Sequence, residues 1–316
     1  MRRALPILTV LAALLVAIAV ANPLFLEPAG FLALLKRAAP LVILAAGQYF
    51  VIVSGEFDLS VGSLVTAEVV IAARLIDGEE SATWPVLALL LVAGLLVGLV
   101  NGLLTTKLRV PSFIVTLGML LVLSGAVFLW TGGAPRGALS EGFRAFGRGG
   151  FGPVPWSVLI LLAAGAAAIA LTRARFGRTL VATGDNARAA ALSGVRVDRV
   201  KIYAFMLSGL SAAVAAVLLG GFAGVSAQVG QGLEFSAITA VVLGGVALGG
   251  GRGSVVAAMA GACTLEALFT LLNLYGISGA LESTVQGVII IAAVAAGAVR
   301  LPRKPFPSRG DAHAAP

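Results

Sequence analysis

Two carboxylates, Glu56 and Asp58, stand in the stretch SGEFDLSVGS (Ser54 to Ser63), between strongly apolar runs. An acid at membrane depth has two uses. It can cap a helix, accepting from the free backbone N–H of Ser60 or Val61 with its charge at the positive end of the helix dipole. It can also face a water-filled path and meet a hydroxyl-rich or cationic solute. For Asp58 the two uses are compatible, whereas Glu56 reads as a residue of the water boundary. Six polar residues embedded in or beside apolar runs are candidates for a solute path: Gln48, Asp58, Ser60, Asn101, Thr116 and Asn273. Amides and hydroxyls donate as well as accept, which suits hydroxyl-rich cargo; an interhelical hydrogen bond is the plainer role for each. Glu68 and Glu266 are either a proton path or bundle-facing polar contacts, and Glu282 reads as interfacial.

Much chemistry is excluded. The single histidine, His313, lies in a polar tail, and the single cysteine, Cys263, inside an apolar run. Histidine catalysis, a disulfide framework and a metal-ligand set therefore have no residues to use. None of Lys36, Lys107, Lys201 and Lys304 follows a glycine, so the phosphate-cradling GxxxxGK[ST] loop is missing. The chain is read as neither an ATPase nor any other enzyme.

The elements that must hold the polar residues are membrane helices. Of 316 residues, 59% are hydrophobic and 11% charged, less than half the usual charged fraction of a soluble domain. The runs are continuously apolar and near the ~20 residues of a helical span, without the two-residue alternation of a barrel. The fold class is an all-α polytopic membrane protein with about ten transmembrane helices, in one domain spanning residues 1–316. The expected spans are 4–21, 41–53, 59–76, 84–104, 113–130, 156–171, 203–222, 238–248, 255–272 and 281–299. Ala19-Val20-Ala21 has the form of a signal cleavage site, but the many spans that follow favour a retained anchor.

Charge orients these spans. The chain carries 22 basic against 14 acidic residues, the basic ones clustering between runs, which reads as membrane topology and not as nucleic-acid binding. Asp77, Glu79 and Glu80 mark an outer loop; Lys107, Arg109 and the basic stretch from Arg173 to Lys201 mark inner ones. Both termini are then cytoplasmic, with 301–316 a polar tail. Lys36, Arg37, Arg136, Arg144 and Arg148 are exceptions to the rule. Gly94, Gly98 and Gly102 form a doubled GxxxG, for close packing or a sliding gate. The glycines at 244–245 and 249–251 shorten the eighth run, as transporters do where backbone bends around a solute.

Within the basic stretch, Asp185 or Asn186 supplies an N-cap, Ala187 to Ser193 favours helix, and Gly194 supplies the stop. Such a two-turn helix is too short to stand alone in water. It is a solvated loop helix, a segment lying on anionic lipid, or a docking element held by a partner with an acidic surface.

The chain resembles the bacterial ABC-importer permeases of the ribose type, which belong with the branched-chain amino acid permeases. The blocks that carry the resemblance are GEFDLSVGS, NGLLTTKLRVPSFIVTLG, GRTLVATGDNARAAALSGVRVDRVK, AITAVVLGGVALGGGRGS and VQGVIIIAAV, in order across residues 40–300. The chain departs from the pattern at Ser54 for glycine, at Glu56 for an apolar residue and at Ser236 for an aspartate. The resemblance implies a permease in the bacterial inner membrane, paired with a second permease chain. It also implies two cytoplasmic ATPase subunits that bind ATP–Mg and an extracytoplasmic solute-binding protein. The ATPase contact would be Gly184, Asp185, Asn186, Ala187, Arg188, Ala189, Ala190, Ala191, Leu192, Ser193 and Gly194. The expected cargo is a monosaccharide of the ribose, xylose or galactose type. A branched-chain amino acid or nucleoside is the alternative cargo, and an ion-coupled transporter the alternative class.

Overall fold

In the computed structural model, residues 5–277 and 279–298 are described. The tail 301–316, with His313, and the terminal basic residues Arg2, Arg3, Arg300, Arg303 and Lys304 lie outside them, as does the side chain of Glu282. The helices are α1 (Leu5–Ala21), α2 (Pro28–Val53), α3 (Val61–Ile76), α4 (Thr83–Lys107), α5 (Ser112–Thr131), α6 (Glu141–Arg148), α7 (Trp156–Arg173), α8 (Arg175–Asp185), α9 (Ala187–Leu192), α10 (Val197–Ala223), α11 (Leu233–Leu243), α12 (Val255–Leu274) and α13 (Gly279–Ala298). One two-stranded antiparallel hairpin, β1 (Gly150–Phe151) and β2 (Val154–Pro155), precedes α7.

The all-α polytopic expectation holds, but the expected ten spans do not all appear as full-length helices. Among the described residues six helices are long and apolar enough to cross a membrane: α2, α4, α5, α7, α10 and α12. The helices α1, α3 and α11 have only 17, 16 and 11 residues. The shortest has the clearest cause. At ~1.5 Å per residue α11 is about 16 Å long, half the ~30 Å of a hydrocarbon core. It stops at Gly244 because Gly245 takes positive φ, a backbone that side-chain-bearing residues avoid, and Gly250, Gly251 and Gly253 do the same in the loop that follows. The run expected at 238–248 is thus helical only to Leu243, starts earlier at Leu233, and is followed by an irregular loop.

Two helices organise the bundle. From Ala38 to Val53 every residue of α2 is buried, so that half of the helix is enclosed on all sides. It begins at Pro28, well before the expected Leu41, and carries Pro40 in its interior. The 27-residue α10 packs against α2, α3, α4 and α6. Small residues let α4 approach it: a Cβ on Gly94 would meet the Gly209 carbonyl, on Gly98 the Phe205–Met206 backbone, and on Gly102 the Ile202 Cα. The doubled GxxxG is therefore a helix-packing seam.

The long loop after α5 is not bare. Ser140 Oγ caps α6 by accepting from Phe143 N at 3.2 Å, and the Phe143 ring is fully buried. Gly147 lies against the backbone of Gly221 and Phe222 at the end of α10. Some of the basic residues that break the charge rule gather there. Lys36 donates to the Arg148 carbonyl and sits over the Phe222 ring; Arg148 donates to the Phe222 carbonyl, and Arg37 to Thr270.

Candidate functional site

Five of the six path candidates meet at the loop between α2 and α3. Asp58 Oδ1 accepts from Ser60 N at 3.0 Å and Ser60 Oγ at 2.6 Å, while Oδ2 accepts from Ser208 Oγ of α10 at 2.8 Å. Asn101 Nδ2 of α4 donates to Ser60 Oγ at 2.9 Å, and Gln48 Nε2 of α2 donates to the Asp58 carbonyl at 3.1 Å. Thr116 Oγ1 of α5 donates to the carbonyls of Ser112 and Phe57, and Ser112 Oγ accepts from Phe57 N. Asp58 accepts from Ser60 N as expected but is not the N-cap: α3 begins at Val61, two residues later than expected, with Ser60 as its N-cap and no side-chain cap hydrogen bond.

The cluster is enclosed. Gln48, Asp58, Ser60, Asn101 and Thr116 are each at most 1% exposed. Asp58 therefore relies on three hydrogen-bond donors in place of water, as a buried carboxylate must. Two amide oxygens in the cluster, Gln48 Oε1 and Asn101 Oδ1, meet no partner. Both are acceptors, the complement of a hydroxyl. Glu68, farther along α3, is fully buried with neither carboxylate oxygen bonded.

Asn273 does not join them. It lies near the end of α12, donates to the Phe269 carbonyl, and lines a separate cavity of about 500 Å³ with Asn22, Lys36, Arg37 and Thr270. That cavity is at the face bearing α6 and the hairpin, whereas Asp58 is toward the face bearing α9. The start of α11 and the segment before it hold a second polar group. Gly230 N donates to Thr66 Oγ1 at 2.9 Å, Gln286 Nε2 donates to Ser236 Oγ at 3.0 Å, and the Glu234 carboxylate packs against Gly62. Of the irregular segment 224–232 only Gly230 is buried, at its contact with α3.

The basic stretch forms two helices, of which α8 was not anticipated. Asn186 Oδ1 caps α9 by accepting from Ala189 N at 2.9 Å, and Gly194, at φ +83°, ends it. Asp185 is the last residue of α8 instead of a cap. The α9 helix projects, with Leu192 at 85% exposed. Its base is locked: a Cβ on Gly184 would run into the Val53 carbonyl and Gly251 N, and one on Gly251 into Asp185. Gly251 N also donates to the Val53 carbonyl at 2.9 Å. The root of α9, the end of α2 and the glycine loop after α11 therefore share one backbone-to-backbone contact.

Sequence reading missed several residues. Ser208 sits in an otherwise apolar run seven residues after Lys201, which places both on one face of α10. Glu56 is no loose boundary residue; it forms an ion pair with Lys201, the two side chains 14% and 21% exposed. Ser112, Glu234 and Gln286 had no local pattern to flag them.

The model of the permease component of branched-chain amino acid transport systems matches residues 30–294. The chain is 38% identical to the ribose import permease of Bacillus subtilis, covering 89% of this chain and 88% of that one. It is 36% identical to the ribose import permease of Escherichia coli K12, over 90% and 91%. It is 35% identical to the autoinducer 2 import system permease of Escherichia coli K12 (DH10B), over 81% and 75%. No solved structure matches.

Proposed function

The chain belongs to the permease family of branched-chain amino acid transport systems, and from that premise we propose how its parts divide the work of an ATP-driven importer. It is the permease subunit, and its cargo is a small sugar-type solute of the kind that the ribose and autoinducer 2 relatives import. Two copies, or this chain and a related one, form the membrane pair. Two separate ATPase subunits bind ATP–Mg, and an extracytoplasmic binding protein delivers the solute.

The observation that carries this reading is the glycine-locked root of α9. A projecting apolar Leu192 and a basic surround suit a groove on an ATPase, and Gly184 to Gly194 is the segment that would seat there. Movement of that segment as a rigid body reaches Val53 and the glycine loop directly. Gln48, Asp58, Ser60, Asn101 and Thr116 then form the inner polar ring of the path, and Asn273 stands at its outer mouth. The α9 face is cytoplasmic, because Lys107, Arg109, Arg173 to Arg199 and Lys201 gather there while Asp77, Glu79 and Glu80 lie at the opposite ends of the helices. On this topology α1, α3, α13 and α11 together with the irregular segment 224–232 before it complete ten crossings, and both termini are cytoplasmic in the bacterial inner membrane.

The test is ATP-driven uptake of D-ribose into vesicles holding this chain, its ATPase and its binding protein. Uptake that needs ATPase and nucleotide supports the reading. The partnerless Glu68 carboxylate favours a second one, coupling to protons. Uptake that follows a proton gradient without the ATPase would establish that reading and overturn the first.

A further inference from the structure

The loop that carries Asp58 is fastened to α10 at two points. Residues 56–60 belong to no helix, turn or strand, and the side chains of both Glu56 and Asp58 reach α10. On α10 the partners are Lys201 and Ser208, seven residues or two turns apart, on one side. Lys201 Nζ pairs with Glu56 Oε1, and Ser208 Oγ donates to Asp58 Oδ2 at 2.8 Å.

The position of Lys201 along the chain gives this fastening its meaning. Only residues 193–196 separate α9 from α10. They are tied back, since Val195 N donates to the Ala190 carbonyl at 3.0 Å. A displacement of α9 therefore enters α10 at its first turns, where Lys201 sits, before it reaches Ser208. A second pair at that end, Lys107–Asp198 at 2.7 Å, joins α10 to α4 and is open to solvent, its side chains 58% and 49% exposed. The Glu56–Lys201 pair is enclosed by comparison, yet it borders a cavity of about 350 Å³ with Arg109 and Thr105 on its wall. It is thus shielded enough to hold and has room beside it to be broken.

We propose that Glu56 and Lys201 are positioning residues for transport, pulling the Asp58 loop with α10 so that motion of α9 reaches the polar ring. This rests on the importer reading given above. Neither side chain needs to touch the solute; their effect runs through Asp58 and its partners.

The experiment measures D-ribose taken up per ATP hydrolysed, in vesicles with the complete assembly of permease, ATPase and binding protein. Glu56→Gln and Lys201→Met are expected to lower that ratio about tenfold, within the range usual for coupling between sites, while ATP hydrolysis continues. Lys201→Arg, and the reversed pair Glu56→Lys with Lys201→Glu, are expected to return it toward wild type. Asp198→Asn, which breaks only the exposed pair, is expected to leave it alone. Single variants with a wild-type ratio would overturn the inference. If the singles fail to accumulate, the reversed pair decides: folded and coupled supports it, folded and uncoupled overturns it. A wild-type assembly that takes up no D-ribose with ATP would instead refute the function from which the inference starts.

Discussion

Replacing Gly184 with alanine separates two opposing expectations. Gly184 lies inside α8, where alanine is normally favoured over glycine by ~1 kcal/mol. Helix propensity alone thus predicts a more stable protein. Packing predicts the opposite: the new Cβ would stand 2.5 Å from Gly251 N and press still harder on the Val53 carbonyl. Nonbonded heavy atoms settle at about 3.5 Å, so Gly251 must retreat by about 1 Å and the Val53 carbonyl by more. The Gly251–Val53 hydrogen bond, now 2.9 Å, would stretch beyond useful length. Losing it costs about 1 kcal/mol and overpacking a further 1–3 kcal/mol. After the propensity gain, a net loss of roughly 1–3 kcal/mol remains. Thermal unfolding of purified protein, with Gly249→Ala as control, reads this directly, since a Cβ on Gly249 meets no atom within 4 Å. Co-purification of the ATPase reads the consequence for α9. A Gly184→Ala protein as stable as the control, or more so, would refute the locked-root argument.

Three other outcomes follow from the same geometry. Leu192→Ala, at an 85% exposed position, should leave thermal stability unchanged and weaken ATPase retention by at least ~1–2 kcal/mol, as for an interface anchor; pull-down affinity is the measurement. Gly98→Val should lower the unfolding temperature, because the branched side chain meets the Phe205–Met206 backbone and overpacking of that kind costs ~1–3 kcal/mol. Ser208→Ala removes one of the three donors to a buried carboxylate, at about 1–3 kcal/mol, and both melting and uptake should fall; Ser211→Ala, whose hydroxyl only returns to the Ser208 carbonyl, should cost less.

The fold class and much of the buried polar cluster around Asp58 are legible in the sequence for a physical reason. A polar residue inside an apolar run must find a partner, so Gln48, Asp58, Ser60, Asn101 and Thr116 identified themselves by being out of place. The α9 segment was readable from its cap and stop, Asn186 and Gly194, which act locally. The span count was not, because positive φ at Gly245 ends α11 early in a way that hydropathy does not register, and α1 and α3 also stop short at 17 and 16 residues. Asn273 looked like the other five by composition, and only the three-dimensional arrangement puts it at the opposite end of the molecule. Ser208, Glu56 and Lys201 depend on contacts 145 and 150 residues apart, which no local pattern encodes.

The central helix α10 runs unbroken for 27 residues, about 40 Å at 1.5 Å per residue. One end holds Lys201 and the other lies under Gly147 of α6. A rod of that length would carry motion between the two ends of the bundle as a see-saw does. A tilt of ~5° about its midpoint would carry each tip about 1.7 Å, in opposite directions, given that length. A push on the Lys201 end would thus be felt beside the hairpin as well.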